Sequence, residues 1–521
     1  TLLPEEAGYL HSDTEAVVAV VENALQLEKV RSLRTGFNFF DRDYAPEEVK
    51  LRHIVVMDPT GVEPADDWES LADLEKRGTE QLEATAAERE KRGGGKRADV
   101  CTYTYTSGTT GPPKGVIQTN ENMLSMVESC DETGILAEPV REGGLDLFLP
   151  LAHSFGRLIE LAGPFFDAPI ILSGIPTLAS DLKETRPGFF PAAPRVYEKI
   201  KAKIETAVAG APPIRQKLFK WAMNSGKKTI PYRSQGKPVP FLTGMQYKLA
   251  DKLVLSKLRA KLGFDRCFIL LSGSAPLNVE VHEFFLAAGM DLLEAYGLTE
   301  TCPGLTTNLP DSFKLGTVGK PFPGVTIKIA ADGEILAKGP NITSGYLNRP
   351  DATAGAFDDE GWFLTGDLGS MDSDGFVKIT GRKKELMKTS GGKYIAPAKL
   401  EGRMKNLTIV QECISVADTR NYVTCLVAID PEELEDWAKQ TGSPNDPNSP
   451  EVAAVVQAHI DEVNKTLAKY ETIKYMRIVE PMTVENGILT ASLKVKRSVV
   501  LDRYADLIEE MYTSAKKPAA K

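Results

Sequence analysis

A run of small and hydroxylated residues, Thr104-Tyr-Thr-Ser-Gly-Thr-Thr-Gly-Pro-Pro-Lys-Gly115, breaks a β-prone stretch of threonine and tyrosine. Glycines let backbone N–H groups approach an anion, and the hydroxyls add donors. Lys114 supplies a mobile positive charge of the kind that holds phosphate. Ser107 to Lys114 therefore has the make-up of a phosphate cradle. The spacing G-x-x-x-x-G-K-[ST] does not fit it, which sets it apart from the loops of P-loop nucleotide hydrolases. Read by itself, the segment is equally well explained as a glycine-rich surface turn.

Other groups with chemical potential follow β-prone runs. Tyr296-Gly297-Leu-Thr299-Glu300 places a carboxylate, the ligand a hard cation wants, at a strand end; a strand-end turn with a solvated glutamate has the same sequence. Gly273 and Ala275 are small enough to let backbone approach a flat ring, or they simply make a turn after Leu271. Asp367 follows Thr365-Gly366, and a carboxylate can accept both ribose hydroxyls, although aspartate beside glycine is usually a turn former. His153 is a lone histidine after a short strand, more often structural than catalytic. Lys494, Lys496 and Arg497 form a cluster that on charge alone reads as a solvated face.

The elements that must position these groups alternate between strand and helix. Ala16–Val21, His53–Met57, Asp146–Leu149, Ile170–Leu172, Cys267–Leu271 and Asp291–Tyr296 read as short strands, and Leu82–Lys91 as a charged helix before an exposed linker at 93–97. This rhythm predicts an α/β fold with a largely parallel sheet, with ligand loops at the strands' carboxyl ends. After about residue 316 the pattern changes to hairpins, with a turn at Asp332-Gly333 and a strand at Phe376–Thr380. Strands at Glu412–Val416 and Tyr422–Ile429 and a helix near Val452–Leu467 belong to a separate C-terminal part, with the boundary placed at Arg382 to Lys384.

With 521 residues, two or more domains are expected. A formal charge of −10 argues against a general nucleic-acid binder. Six scattered cysteines with no C-x-x-C pair, and only five histidines, fit a reducing compartment better than a disulfide framework or a zinc site. The most apolar stretch, Leu158–Ile175, contains Glu160, Asp167 and two prolines and makes a poor membrane span.

Taken in order, Thr104–Gly115, Leu149-Pro-Leu-Ala-His-Ser-Phe155, Ser272-Gly-Ser-Ala-Pro276, Glu294-Ala-Tyr-Gly-Leu-Thr-Glu300, Leu364-Thr-Gly-Asp367, Ile379-Thr-Gly-Arg-Lys-Lys384 and Asn486-Gly487 to Lys494 closely resemble the motif series of the adenylate-forming superfamily. That superfamily contains acyl-CoA synthetases, luciferases and peptide-synthetase adenylation domains. Pro194-Arg-Val-Tyr-Glu-Lys199 and Ala250-Asp-Lys-Leu-Val254 are most similar to its long-chain fatty acyl-CoA synthetase branch. The segment before Thr104 is shorter than in the family, so the start of the large domain is expected to be missing, and Thr1 follows no methionine.

The resemblance implies an α/β fold with a large N-terminal domain (residues 1–381) containing α/β sheets and a β-rich subdomain, and a smaller mobile α+β domain (382–521) hinged at Lys384. It implies ATP, Mg²⁺ and coenzyme A as nucleotide, metal and acyl acceptor, and a fatty acid as substrate. The nucleotide would be held by Thr106, Ser107, Gly108, Thr109, Thr110, Gly111 and Lys114, by Gly273, Ser274 and Ala275, by Glu294, Ala295, Tyr296, Gly297 and Thr299, and by Asp367, Ile379 and Arg382. Within that set Tyr296 would stack on adenine, Thr299 would meet the α-phosphate, and Asp367 and Arg382 would reach the ribose; Glu300, next to Thr299, would hold the metal. Lys494 would bridge the substrate carboxylate and the α-phosphate, with Lys114 on the phosphates. His153 and Gly273 would line the acyl site, and Gly391 and Gly392 the pantetheine path. Ala152–Phe155 offers no acidic residue for an ammonium group, which disfavours an amino-acid substrate. An acyl-AMP ligase that stops at the adenylate stays open. A cytoplasmic protein is expected. Long acyl substrates make contact with a membrane surface compatible with that place, although no amphipathic anchor stands out in the sequence, and the oligomeric state is not legible.

Overall fold

The computed structural model describes residues 2–106, 111–489 and 495–513. Two compact units are distinguished, one of residues 1–121 with 343–355, the other of 122–342 with 356–521.

In the first unit, β1 (Val18–Val21), β2 (His53–Val56) and β3 (Trp68–Ser70) form a parallel sheet in that order. Leu27 and Val30 of the intervening helix pack on it. The charged segment expected at 82–91 is helical only from Ala86 to Arg92, preceded by a separate helix, Leu71–Glu80. β4 (Val100–Thr106) and β5 (Lys114–Thr119) pair antiparallel, with Thr106 opposite Lys114.

The second unit is built on a seven-stranded sheet. Its strands are β6 (Leu145–Leu147), β7 (Ile170–Leu172), β8 (Phe189–Ala192), β9 (Ile269–Ser272), β10 (Leu292–Tyr296), β11 (Thr306–Thr307) and β12 (Lys320–Pro321), in the order β12-β11-β10-β9-β8-β6-β7. The five strands from β6 to β10 are parallel, and β11 and β12 add antiparallel pairs at the edge. Reading β7-β6-β8-β9-β10 as 2-1-3-4-5 gives the flavodoxin-like arrangement, whose connections change direction between β6 and β8.

Both faces of this sheet are buried, so its strands are apolar on both sides. Phe189, Ile269, Leu271 and Leu293 face helices α1 (Asn120–Glu132) and α2 (Ser154–Phe166). Their neighbours Phe190, Leu270 and Leu292 face α3 (Pro194–Ala209) and α4 (Val279–Ala287). This one-residue alternation is the strand period of two. Buried Tyr197 of α3 donates its hydroxyl to the carbonyls of Phe190 and Leu271 at 2.9 and 3.1 Å, tying β8 to β9.

Past residue 325, β13 (Thr326–Ile329), β14 (Glu334–Lys338), β15 (Phe363–Met371) and β16 (Val377–Arg382) form an antiparallel sheet in sequence order. Gly333 adopts φ +88° in the predicted turn between β13 and β14. A last sheet holds β17 (Val410–Val416), β18 (Val423–Ile429) and β19 (Ile473–Val479), with the parallel β18–β19 pair joined through two helices. Large α/β region, β subdomain and C-terminal α/β part are thus all present, as the motif series implied.

Candidate active site

β9 and β10 deliver their loops to the same edge of the central sheet, because both are parallel and in register, Ser272 beside Glu294. Gly273 and Ser274 after β9, and Ala295, Tyr296 and Gly297 at the end of β10, surround the mouth of one pocket. Ser274 holds φ +71°, a left-handed backbone that costs a non-glycine residue energy and recurs at functional sites. From there the pocket runs along the sheet face that carries α1 and α2. Phe155, Leu158, Ile159 and Ala162 of α2 and Met126 and Cys130 of α1 form its sides. Leu145 and Phe189 lie at its far end, at the level of Ile269. Ile269 and Gly273 are four residues apart on one extended run, so the pocket is about 13 Å deep. Its walls are hydrocarbon for almost this whole length, and the Cys130 thiol among them is pushed up to about 12 by burial.

Polar groups gather at the mouth. Buried Asp367 of β15 accepts the Tyr296 hydroxyl at 2.7 Å and the Arg382 Nε–H at 2.8 Å. Asp367 and Arg382 face one another across the β15–β16 ladder, which fixes the pair. Behind them, Thr365 donates to the Ile335 carbonyl and its Oγ1 accepts the Asp367 N–H. The Gly366 N–H is held by Glu334, which also pairs with Lys383. Burial, and then the Asp367 charge, hold the Tyr296 phenol well above its ordinary value, so it stays a donor. Ile379 of β16 packs against the apolar cluster that contains Tyr296.

Glu294 is buried on β10 and accepts the Leu277 N–H at 3.2 Å, while its carbonyl accepts the Asn308 backbone and side chain. Burial pushes its carboxyl up to about 8 against that hydrogen bond, so it is protonated at neutral pH. It braces the 273–277 loop as a neutral group. Thr299 and half-buried Glu300 lie on the short turn that follows β10. Gly297 has no room for a side chain, since a Cβ there would lie 1.7 Å from the Pro303 carbonyl oxygen. A residue missed in the sequence holds this turn: buried Asn341 donates to the carbonyls of Thr301 and Gly304 at 2.8 and 2.6 Å. The Gly339-Pro-Asn341 step directly after β14 was the available signal.

His153 stands immediately before α2, two residues from pocket-lining Phe155. Ala275 continues the loop after β9. Lys384 lies in the turn Lys383–Glu385 that leaves β16. Gly391 and Gly392 form the exposed turn between two short paired strands, Met387–Lys388 and Tyr394–Ile395. In the first unit, Thr106 ends β4, Gly111 has φ +85°, and the Lys114 ammonium lies 5.0 Å from the ring centre of Tyr346. Ser107, Gly108, Thr109, Thr110 and Lys494 lie outside the described residues.

The chain matches the AMP-binding enzyme family over residues 1–347 and the AMP-binding enzyme C-terminal domain over residues 384–516. It belongs to the AMP-binding enzyme family. As a member of it, the chain is an adenylate-forming, acyl-activating ligase. It is 37% identical over 429 residues to the long-chain-fatty-acid–CoA ligase FadD15 of Mycobacterium bovis, covering 80% of this chain and 70% of that protein. The long-chain-fatty-acid–CoA ligase ACSBG2 of Xenopus laevis is 30% identical over 559 residues, covering 99% of this chain and 72% of that one. Among solved structures, ATP-bound MatB from Rhodopseudomonas palustris superposes with a TM-score of 0.62 at 21% identity, covering 97% of this AMP-binding enzyme and 83% of MatB. That likeness establishes the shared fold. Among the described residues, no helix is long and apolar enough to cross a membrane.

Proposed function

We propose that the chain is a long-chain fatty acid–CoA ligase. The observation that carries this reading is the apolar pocket, which leads from the Tyr296–Asp367–Arg382 cluster along the central sheet with hydrocarbon walls. A fatty acid would lie in it with its carboxylate at the mouth. In the first half-reaction a carboxylate oxygen attacks the α-phosphorus of ATP, the bond to the β-phosphate breaks, and pyrophosphate leaves with the electron pair. In the second, the sulfur of coenzyme A attacks the acyl carbon, the thiol proton passes to solvent, and AMP leaves. Kinship with proteins named as long-chain-fatty-acid–CoA ligases supports the substrate class.

In this reading Tyr296 stacks on adenine while its hydroxyl stays on Asp367. An ionised carboxylate has about four lone-pair sites, so Asp367 keeps capacity for the ribose hydroxyls while holding Tyr296 and Arg382. Mg²⁺ is usually held by one or two carboxylates, waters and substrate phosphates. Glu300, half-buried on the turn after β10, fits that pattern, and the ion would supply neutralisation of phosphate charge. Lys114 and Lys494 would offset the charge of the reacting phosphate, and the Thr299 hydroxyl would donate a hydrogen bond to it. Residues 382–521 act as a small lobe that turns about Lys384 between the half-reactions, after which Gly391 and Gly392 face the pantetheine arm.

The test is a panel of saturated fatty acids of increasing length, supplied with ATP, Mg²⁺ and coenzyme A, with AMP and thioester followed together. Equal yields of both with long acids are expected. Pyrophosphate release without thioester would instead make the chain an acyl-AMP ligase. No release with any acid would end the reading.

A further inference from the structure

The helical run that begins at Phe241 turns apolar side chains both inward and outward. It comprises Phe241–Ala250, a π-helical turn Asp251–Leu255 and Ser256–Leu262. Ala250, Leu255, Tyr247 and Val254 pack inward against Trp221 and Ala222 of the neighbouring helix, Pro213–Lys227. On the other side Phe241 and Leu242 are each 77% exposed, and Met245, Leu249 and Leu253 are exposed with them. Their spacing of i, i+1, i+4, i+8 and i+12 places them on one stripe of the helix. Ile214 and Leu218, one turn apart on the neighbouring helix, are exposed as well. Scattered single apolar residues on a surface need no explanation, but a contiguous apolar face marks an interaction site.

The charge around this face identifies its partner. Pro213 to Leu262 contains twelve lysines and arginines against one acid, Asp251, within a chain whose formal charge is −10; Lys227, Arg233 and Arg259 among them pair with Glu283, Asp291 and Asp251. Nine of the twelve are lysines. Lys248 and Lys252 lie on the same stretch as the apolar stripe, and both are exposed. Helices that lie in a membrane interface have an apolar face bordered by lysine or arginine, and bind by buried area together with attraction to anionic lipid. With Lys248, Asp251, Lys252, Lys257, Arg259 and Lys261 in it, the run is unsuited to spanning a bilayer and suited to lying on one.

We propose that the Phe241–Leu253 face is a docking surface for an anionic phospholipid bilayer, with Phe241, Leu242 and Met245 entering the acyl boundary and Lys248 and Lys252 meeting the headgroups. The stripe does not stand out in the sequence because apolar residues of the inward and outward sides are interspersed along the run, and tertiary packing separates them. The inference rests on this surface alone, so its failure would leave the ligase reading untouched.

The test is co-sedimentation of the full chain with vesicles of phosphatidylcholine and with vesicles of equal parts phosphatidylcholine and phosphatidylglycerol. Strong binding to the mixed vesicles and weak binding to the neutral ones is expected, falling as salt rises. Each basic residue near an anionic surface contributes about a five-fold gain in partition, so Lys248→Gln with Lys252→Gln should weaken binding about 30-fold. Phe241→Ser with Leu242→Ser should abolish it, while pyrophosphate release with a water-soluble short-chain acid stays at the wild-type level. Equal binding to both vesicle types, or binding indifferent to both double variants, overturns the proposal. So does a dimer in sedimentation velocity that dissociates on the Phe241→Ser, Leu242→Ser change, because a second copy would then cover the face.

Discussion

The hydroxyl of Tyr296 donates to Asp367 across 2.7 Å, although the two lie 71 residues apart in the chain. One ends a strand of the central parallel sheet and the other sits in the antiparallel sheet that follows it. The contact sets both the ring plane and the carboxylate orientation before any ligand arrives.

Tyr296→Phe removes that contact and leaves the ring in place. A hydrogen bond to a charged group contributes about 1.5–3 kcal/mol. The KM for ATP in pyrophosphate release should rise by at least about tenfold, with kcat for a saturating nucleotide changed much less. An unaltered KM would show that Asp367 is oriented by Arg382 alone.

Two glycines at the mouth should respond oppositely to alanine. At Gly297 a Cβ would lie 1.7 Å from the Pro303 carbonyl oxygen, so the backbone must move. Overpacking of this kind costs about 1–3 kcal/mol, and the displaced Thr299–Glu300 turn should lose most adenylation. At Gly273 the nearest atom is 3.4 Å away, on the Phe155 ring. Gly273→Ala should keep the wild-type unfolding midpoint and change only the KM for the acid. Thermal melts of the two variants beside acid titrations decide the matter, and equal stability of both would contradict the packing argument.

The neutral Glu294 predicts a pH dependence of stability. Its carboxyl ionises near 4.5 when unfolded and near 8 when folded, raised by burial. Within that window the native state holds a proton the unfolded chain has lost, so stability declines as pH rises and the decline stops above about 8. Glu294→Gln keeps an oxygen for the Leu277 N–H and cannot ionise. Its unfolding midpoint should fall less than that of the wild type across the window. Superimposable pH profiles would mean that Glu294 is ionised in the fold.

Asp430 has two tasks. It caps the helix Pro431–Thr441 by accepting the N–H groups of Glu432 and Glu433, and it accepts a hydrogen bond from Arg195 of α3 at 3.1 Å. Asp430→Ala should cost about 1 kcal/mol for the cap alone. Asp430→Asn retains the cap and loses the ion pair, so it should lie between alanine and wild type in urea titrations. Identical losses in both variants would assign the whole effect to the charge.

The proposed roles of Lys494 and Lys384 separate by half-reaction. Lys494→Ala should lower acyl-adenylate formation about a hundredfold or more, as loss of a group aimed at transition-state charge does, with ATP binding nearly intact. Lys384→Pro should lower thioester formation more than adenylate formation. Equal loss of both half-reactions in the second variant would count against a hinge there.

Much of the fold was legible because strand and loop chemistry coincide in it. β6, β7, β9 and β10 fell where short apolar runs ended in Gly, Pro or Ser, and the hairpin turned at Asp332-Gly333. β8 escaped because Pro191 sits inside it, and proline ordinarily argues against a central strand. The exception has a local cause. The Phe189 N–H points to β6 and donates to the Gly144 carbonyl, and alternation sends residue 191 to the same side, where pairing with β6 has already ended. The β6 ladder stops where the proline has no N–H to continue it, while β8 keeps its pairing with β9 through Ala192. Asn341 escaped because its partners are the carbonyls of Thr301 and Gly304, about 40 residues earlier, and such a pairing leaves no periodic trace.

The pocket's closed end is made by Leu145, Phe189 and the segment around Ile135, while Tyr296 and Gly273 stand at its opening. On the proposed ligase reading, measurement of the tail and treatment of the head would fall to opposite rims of a single sheet. In that reading, repacking one rim would retune which tails are accepted and leave the proposed nucleotide-handling rim as it stands.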